Sequence, residues 1–129
     1  MALYKKSHAR SGLKAKLPKL EVLPNQFKGY TIKIIIPEYT SLCPRTGFPD
    51  AGTITIEYEP EKSFVELKSL KLYILAYRNI GIFYENAVNR ILRDFTKAVR
   101  PRWAMVRGEF NPRGGITSVV EAKYRKRRS

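Results

Sequence analysis

The stretches Tyr30-Thr-Ile-Lys-Ile-Ile-Ile-Pro37 and Thr53-Ile-Thr-Ile-Glu-Tyr58 decide the fold, because they are the clearest strand patterns in the chain. The first is a run rich in β-branched residues that ends at a proline, and the second alternates apolar and polar residues. The segment between them, Cys43-Pro-Arg-Thr-Gly-Phe-Pro-Asp-Ala-Gly52, is rich in Pro and Gly. We therefore expect two neighbouring strands joined through a shaped loop over residues 43–52.

Helical spacing of apolar residues follows these strands, and strand patterns return after it. The segments are two helices over residues 64–77 and 84–99 and two strands over residues 103–110 and 116–122, with breaks at residues 78–81 and 111–115. The order ββααββ predicts an α+β fold, an antiparallel sheet with two helices on one face. Such a sheet has two open edges, which subunits can cover by joining their sheets in a ring.

The 129 residues carry a formal net charge of +14, and most of it lies at the two ends. Residues 1–19 contain six Lys or Arg and no acid, whereas residues 20–120 are only mildly basic. We expect a basic N-terminal arm (residues 1–19), one domain (residues 20–122) and a basic C-terminal tail (residues 123–129). Solvated arms are one interpretation of these ends, and contact with tRNA or another polyanion is the alternative. Either way, we expect the arm to be dispensable for action on a small substrate.

Cysteine content and hydropathy indicate the compartment. One cysteine cannot form an internal disulfide, and no apolar run follows the basic start of the chain. Secretion and membrane spanning are therefore disfavoured, and a cytoplasmic location is expected. The length suits one compact domain that can bury a core without a disulfide or a metal.

Cys43 and Asp50 are the candidate reactive residues. Cys43 follows a strand and opens the loop beside Arg45, where a thiolate would be accessible and electrostatically favoured, although a lone cysteine is often a buried hydrophobe. Asp50 lies near the end of the same loop, where a turn residue or a helix cap is the alternative interpretation. The sole histidine, His8, lies in the basic arm. The chain therefore lacks the histidines that a Cys–His mechanism or a Cys/His zinc site would need near Cys43, and no metal is expected.

Three charged residues of the helical region are candidate binding residues. Lys68 and Lys71 share one helical face near a helix N-terminus, where phosphate is attracted, although a solvated charged face gives the same pattern. The chain contains neither G-x-G-x-x-G nor a P-loop, so a nucleotide cofactor would bind without those devices. Glu85 begins the second helix, where it either favours the helix dipole or accepts two hydrogen bonds from a guanine-like edge.

Several segments together resemble one enzyme family. They are Cys43-Pro-Arg-Thr-Gly-Phe-Pro-Asp50, Phe64-Val-Glu-Leu-Lys-Ser-Leu-Lys-Leu-Tyr73, Tyr77-Arg-Asn-Ile-Gly-Ile-Phe-Tyr-Glu-Asn86, Val88-Asn-Arg-Ile-Leu92 and Phe110-Asn-Pro-Arg-Gly-Gly115. This set is similar to the single-module NADPH-dependent 7-cyano-7-deazaguanine reductases of queuosine biosynthesis. The resemblance covers residues 22–124, and its most specific part is the motif over residues 66–73.

The resemblance implies a tunnelling fold, in which subunits pair their sheets into a barrel and form a homo-oligomer with active sites between subunits. It implies that NADPH reduces the nitrile of 7-cyano-7-deazaguanine to an aminomethyl group through a thioimide on Cys43, with Asp50 as proton donor. It assigns two further roles: substrate binding by Val65, Glu66, Leu67, Tyr84 and Glu85, and cofactor binding by Lys68, Lys71, Arg113 and Gly114.

One departure from the family and two competing interpretations remain. Many relatives carry His at the position of Tyr84, which puts a proton-relay role there in doubt. The first alternative is a paralogue that adds a nitrogen donor to the nitrile of a deazaguanine already in tRNA, without reduction. The basic arms favour it, and the lysine-rich motif and Arg113 disfavour it. The second, a non-catalytic RNA-binding module, would leave the loop that carries Cys43 and Asp50 unexplained.

Overall fold

The structure, a computed structural model, describes residues 6–127, and their side chains from residue 8 onward. A four-stranded antiparallel sheet forms its centre, in the order β2-β3-β5-β6. The elements are α1 (Lys6–Ala9), β1 (Val22–Pro24), β2 (Ile32–Leu42), β3 (Pro49–Glu59), β4 (Ser63–Val65), α2 (Leu67–Leu75), a 3₁₀ helix (Ala76–Asn79), α3 (Tyr84–Val99), β5 (Trp103–Arg113) and β6 (Ile116–Arg125).

The two longer helices cover one face of this sheet, as predicted for an α+β fold. Ile54, Ile56 and Tyr58 alternate along β3 and are fully buried on that face. The approach of α3 is close at Gly108 of β5, where an added Cβ would lie 2.8 Å from Cγ2 of Val88. The core therefore lies between the sheet and the helices. Within the described chain, the outer edge of β6 is unpaired and that of β2 is paired only at Leu42, which bridges to Gly81.

A β-bulge carries β2 past Pro37, where the sequence pattern predicted that the strand ends. Ile36 pairs with Ile54, but the next pairing is Tyr39 with Gly52, so β2 has one more residue than β3 between these pairs. A bulge in an edge strand tolerates proline, because its missing N–H is not needed for pairing. The bulge shifts the alternation by one residue and directs Tyr39 into the core, where it is fully buried.

The predicted loop over residues 43–52 is too long, because β3 already begins at Pro49. The connection comprises residues 43–48 only. Asp50 lies within β3, where it pairs with Ser41 of β2. Its backbone is therefore fixed by the sheet, and its side chain points to the same face as that of its partner.

The predicted helix over residues 64–77 is wrong at both ends. Its first two residues belong to β4, which pairs with β1 in a second, two-stranded sheet. Strands of three residues are too short to show an alternation, so the sequence indicated neither of them. Glu66 caps α2, the helix ends at Leu75, and a 3₁₀ turn leads out of it.

The remaining elements confirm the prediction, with longer strands. The helix over residues 84–99 has its predicted bounds, and β5 and β6 each extend three residues further than expected. The turn contracts to Gly114 and Gly115, whose φ values of 58° and 79° fit a two-residue type I′ hairpin. Because β6 ends at Arg125, residues 123–125 of the expected tail lie in the sheet.

The described part of the N-terminal arm lies on α3. Asn86 donates a hydrogen bond to the carbonyl of Ala9 at 2.7 Å, and Arg93 donates one to the carbonyl of Leu13 at 3.1 Å. The expectation of a solvated arm is therefore wrong for this segment, because its main-chain carbonyls have partners on the helix. None of the helices within residues 6–127 is long and apolar enough to cross a membrane.

Candidate active site

Cys43 opens a tight turn at the end of β2. Its N–H donates to the carbonyl of Phe48 at 2.9 Å, and its carbonyl accepts from the N–H of Gly47 at 2.8 Å. Gly47 has a φ of 73°, in the left-handed region that favours glycine. The turn leaves Cys43 partly exposed and Phe48 exposed at its tip, so a small molecule can reach the thiol.

The backbone before Cys43 is also tied to the segment that precedes α3. The N–H of Leu42 donates to the carbonyl of Ile80, and the carbonyl of Leu42 accepts from the N–H of Ile82, both at 3.0 Å. Leu42 thereby forms a parallel bridge with Gly81. The start of the loop is thus held by a neighbour outside the sheet.

The surroundings of Cys43 favour the thiolate. Partial burial by itself raises the pKa of the thiol, but hydrogen bonds from the Thr46 hydroxyl and from the N–H groups of Thr46 and Arg45 lower it by more. The nearby Asp50 carboxylate makes a smaller, raising contribution. Because the pKa lies below the ordinary value for cysteine, more of the thiol is in its nucleophilic form at neutral pH.

Asp50 is a buried carboxylate with two donors on one oxygen. Its relative exposure is 6%. Oδ1 accepts hydrogen bonds from the Tyr84 hydroxyl at 3.0 Å and from the Arg113 guanidinium at 2.5 Å. Burial of a charge is costly without such partners, and here they come from α3 and from the end of β5. Both donors use Oδ1, and Oδ2 accepts no hydrogen bond from the described residues.

Two contacts hold the Tyr84 side chain in place, one at its hydroxyl and one on the face of its ring. Its ring stacks on Phe110, with the ring centroids 3.8 Å apart and the planes inclined by 9°. Burial, followed by the hydrogen bond to Asp50, raises the pKa of Tyr84 to about 12. The phenol is therefore a proton donor in its hydrogen bond to Asp50 throughout the neutral range.

Two buried hydroxyls lie behind Asp50 and were not indicated by the sequence. Ser41 is the cross-strand partner of Asp50, and Tyr39 precedes it on the same face; both are fully buried. Neither hydroxyl has a hydrogen-bond partner within residues 6–127. Burial raises the pKa of Tyr39, and the proximity of the Ser41 hydroxyl offsets only part of that rise. Only the bulge in β2 brings them to this face, and a bulge is not visible in a sequence pattern.

Arg113, Gly114 and Glu85 lie at the same end of the sheet as Cys43. Glu85 is exposed in the first turn of α3, and its carboxylate makes no hydrogen bond or ion pair with the described residues. Arg113 was expected to contact a cofactor, and here it also donates to the carbonyl of Pro49 at 2.9 Å, beside its bond to Asp50. Gly114 stands at the exposed hairpin tip. We call Cys43, Asp50, Tyr84, Glu85 and Arg113 the nucleophile end.

A second group surrounds the start of α2. The Glu66 carboxylate accepts hydrogen bonds from the N–H groups of Lys68 at 2.6 Å and Ser69 at 2.9 Å. The helix N-terminus that was expected to attract phosphate is thus occupied by the chain's own carboxylate. Lys68 and Lys71 are exposed and have no ion pair in the described chain, so their ammonium groups could hold an anionic group such as a phosphate. We call Val65, Glu66, Leu67, Lys68 and Lys71 the lysine end.

Val65 and Asp50 lie beside opposite ends of β3. The N–H of Val65 donates to the hydroxyl of Tyr58 at 3.0 Å, which places Val65 beside the last part of β3. Asp50 lies near the first residue of the same strand. Eight residues of extended strand separate Tyr58 from Asp50, which corresponds to about 26 Å. The predicted substrate-binding residues therefore fall into two separate groups.

Comparison with known proteins places the chain in a family. A model of the QueF-like protein family matches residues 49–129. A protein of Elusimicrobium minutum (strain Pei191), named NADPH-dependent 7-cyano-7-deazaguanine reductase, is 54% identical over 125 residues, 96% of this chain and 95% of that protein. The chain belongs to the QueF-like protein family. It is 56% identical to a relative of the same name from Chlorobaculum tepidum over 109 residues, 83% of this chain and 93% of that one.

A solved structure shows the same fold. The crystal structure of the archaeosine synthase QueF-Like in the apo form aligns with a TM-score of 0.70 at 21% identity, and covers 75% of this chain and 95% of that one. The prediction of a tunnelling-type α+β fold is confirmed at the level of the subunit.

Proposed function

We propose that this chain is an NADPH-dependent nitrile reductase that converts 7-cyano-7-deazaguanine into 7-aminomethyl-7-deazaguanine in cytoplasmic queuosine biosynthesis. The observation that carries the proposal is the pairing of an activated thiol with a buried carboxylate. Cys43 has a lowered pKa, and Asp50 lies close enough to act on it electrostatically. Relatives at 54% and 56% identity bear the name of this activity.

Cys43 performs the covalent step. The electrophilic carbon of a nitrile accepts the thiolate, and a proton on the nitrogen completes the thioimide; covalent capture divides a four-electron reduction into easier steps. Asp50 relays that proton: its carboxylate takes the proton that the Cys43 thiol gives up and delivers it to the nitrile nitrogen from Oδ2, the oxygen not engaged by Tyr84 and Arg113. Two NADPH molecules, bound in succession, would each supply one hydride, and with two protons these would take the thioimide to the amine as sulfur departs.

Recognition of the base requires donors and acceptors on both sides of the ring system. Glu85 projects from the start of α3 with a carboxylate that has no partner in the described chain. A carboxylate accepts the N1–H and the amino group of a guanine-like edge together, which fixes the identity of the base. Lys68 and Lys71 hold the cofactor phosphates, and Arg113 stands beside the reacting atoms through its contact with Asp50.

A homo-oligomer completes the site. Along β3, the position beside Val65 lies about 26 Å from Asp50, farther than a single deazaguanine can span. Within the described chain, the outer edge of β6 is unpaired and that of β2 is paired only at Leu42, and the side chains of Ile35 on β2 and Val119 on β6 are exposed. Joining the sheets of two copies covers these edges and brings the lysine end of one copy to the nucleophile end of another.

A second candidate function follows from the solved structure that shares the fold, which is of an archaeosine synthase. An enzyme of this kind would take a deazaguanine in tRNA and add nitrogen without reduction. The net charge of +14 favours it. The exposed, unpaired Lys68 and Lys71 favour a nucleotide cofactor instead.

The deciding experiment mixes the purified protein with NADPH and 7-cyano-7-deazaguanine. NADPH absorbance and product mass are followed together, and two NADPH should be consumed for each 7-aminomethyl product. Cys43→Ala is the control and should consume none. A protein that binds the nitrile covalently but leaves NADPH unchanged, and instead modifies tRNA with a nitrogen donor, would establish the second candidate.

A further inference from the structure

A buried arginine anchors the N-terminal arm to α3. Arg90 is only 8% exposed, and its guanidinium donates to the carbonyls of Gly12 and Ala15. The same group donates to Asp94 at 3.2 Å. A buried guanidinium without partners is strongly unfavourable, so these two main-chain carbonyls are part of its solvation inside the protein. The arm is therefore held by its backbone and not by its lysines.

The anchor continues into the core. Asp94 also accepts a hydrogen bond from the Tyr73 hydroxyl at 2.6 Å, and that hydroxyl lies 2.8 Å from the hydroxyl of Tyr77. Both tyrosine rings are almost fully buried beneath the helices. This network holds Arg90 from the side of the core, so the arm docks on a side chain that α3 and α2 also position.

The docked arm touches the segment that holds the nucleophile. A Cβ placed on Gly12 would lie 2.6 Å from Cβ of Ile82, so only glycine permits this approach. Ile82 is fully buried, and its N–H donates to the carbonyl of Leu42, the residue directly before Cys43. A continuous path of contacts thus runs from Gly12 through Ile82 and Leu42 to the thiol.

We propose that residues 9–15 of the arm are a positioning segment for Cys43. By packing on Ile82, the segment holds the bridge to Leu42, and so keeps the thiol within reach of the hydrogen bonds that lower its pKa. This reverses the expectation that the arm is dispensable. Its effect on turnover rests on the proposed function, whereas its effect on the thiol does not.

The test compares Gly12→Ala with Gly29→Ala. Both glycines have left-handed φ values, +82° and +75°, so alanine introduces the same backbone strain in each. A Cβ at position 29 meets nothing within 4 Å, whereas at position 12 it meets Ile82. The rate of alkylation of Cys43, the only thiol in the chain, is measured against pH without substrate, and turnover is measured separately.

Gly12→Ala should raise the pH midpoint of Cys43 alkylation and reduce turnover roughly ten- to a hundredfold, since small displacements of a reacting group have effects of that order. Gly29→Ala should leave both unchanged. Equal alkylation profiles and equal turnover in the two variants would overturn the inference. A shifted alkylation profile in a protein without reductase activity would retain the inference and reject the proposed function.

A milder pair keeps the test decisive if Gly12→Ala does not fold. Asn86→Ala removes hydrogen bonds to the arm, whereas Asn89→Ala, on the same helix, removes only a bond to the carbonyl of Glu85 at 2.8 Å. Alkylation of Cys43 should shift in the first variant and not in the second. The same profile in both would contradict a positioning role for the arm.

Discussion

The nucleophile end and the lysine end are built in opposite ways. At the nucleophile end, Asp50 is buried and receives its hydrogen bonds from Tyr84 and Arg113, which lie 34 and 63 positions away in the sequence. At the lysine end, the Glu66 carboxylate is bonded to amides two and three positions away, beside exposed lysines. Long-range contacts thus hold Asp50 in place within one folded chain. The lysine end, in contrast, is a locally built surface, which in the proposed assembly is completed by a second copy.

The largest effect should follow from removal of the acid at the nucleophile end. Asp50→Asn keeps the shape of the side chain and removes its transferable proton, so turnover should fall by roughly two to four orders of magnitude. The Cys43 adduct with the nitrile substrate should still form slowly. Steady-state rates, with intact mass as the control for the adduct, check this, and unchanged turnover would move the acid role to another residue.

At the lysine end, Glu66→Asp separates capping from recognition. Aspartate is at least as good an N-cap as glutamate, so the thermal stability should be retained. The shorter carboxylate no longer reaches a substrate presented by a neighbouring copy, and kcat/KM should fall by about tenfold or more, since a hydrogen bond to a charged group is worth about 1.5–3 kcal/mol. Wild-type kinetics in this variant would show that Glu66 serves the helix alone.

Tyr84→Phe tests the support of Asp50. Loss of the hydroxyl should reduce turnover by roughly tenfold, because a hydrogen bond to a charged acceptor is removed and the stacked ring remains. Burial and the bond to Asp50 raise the pKa of Tyr84 from 10.0 to about 12. The stability that this hydroxyl contributes is therefore fully present below pH 10, and is lost as the pH rises toward 12. Denaturant unfolding of both proteins between these pH values measures it; a constant difference would contradict the raised pKa.

The smallest effect belongs to Thr46→Val. After burial, which raises the pKa of Cys43, the Thr46 hydroxyl is the largest of the influences that lower it. Its loss should move the alkylation midpoint of Cys43 upward, toward or beyond the ordinary value for cysteine, while the fold is kept. Thr53→Val, on β3 and away from the loop, is a control that should not move it. An unchanged midpoint in Thr46→Val would show that the backbone N–H groups alone lower the pKa of Cys43.

The sequence predicted the features that depend on residues close together in the chain, and missed those that depend on contacts between distant residues. The helix at Tyr84–Val99 was predicted at both ends because its apolar spacing is a local pattern. The continuation of β2 past Pro37 was missed because proline normally ends a strand. It is tolerated in an edge strand, but the sequence does not show that β2 lies at an edge. Likewise, no pattern indicates that Arg113 reaches Asp50, or that the arm docks on Arg90, because both contacts depend on how distant strands and helices meet.

In the proposed assembly, each active site combines the nucleophile end of one copy with the lysine end of another. Cys43→Ala and Glu66→Ala, each inactive or nearly so alone, are co-expressed or mixed under conditions in which mass spectrometry shows that subunits exchange. Random pairing of copies should restore about a quarter of the wild-type turnover, because one site in four then receives an intact nucleophile end and an intact lysine end. No gain in turnover from assemblies proven to contain both variants would contradict the claim and place the whole site within a single chain.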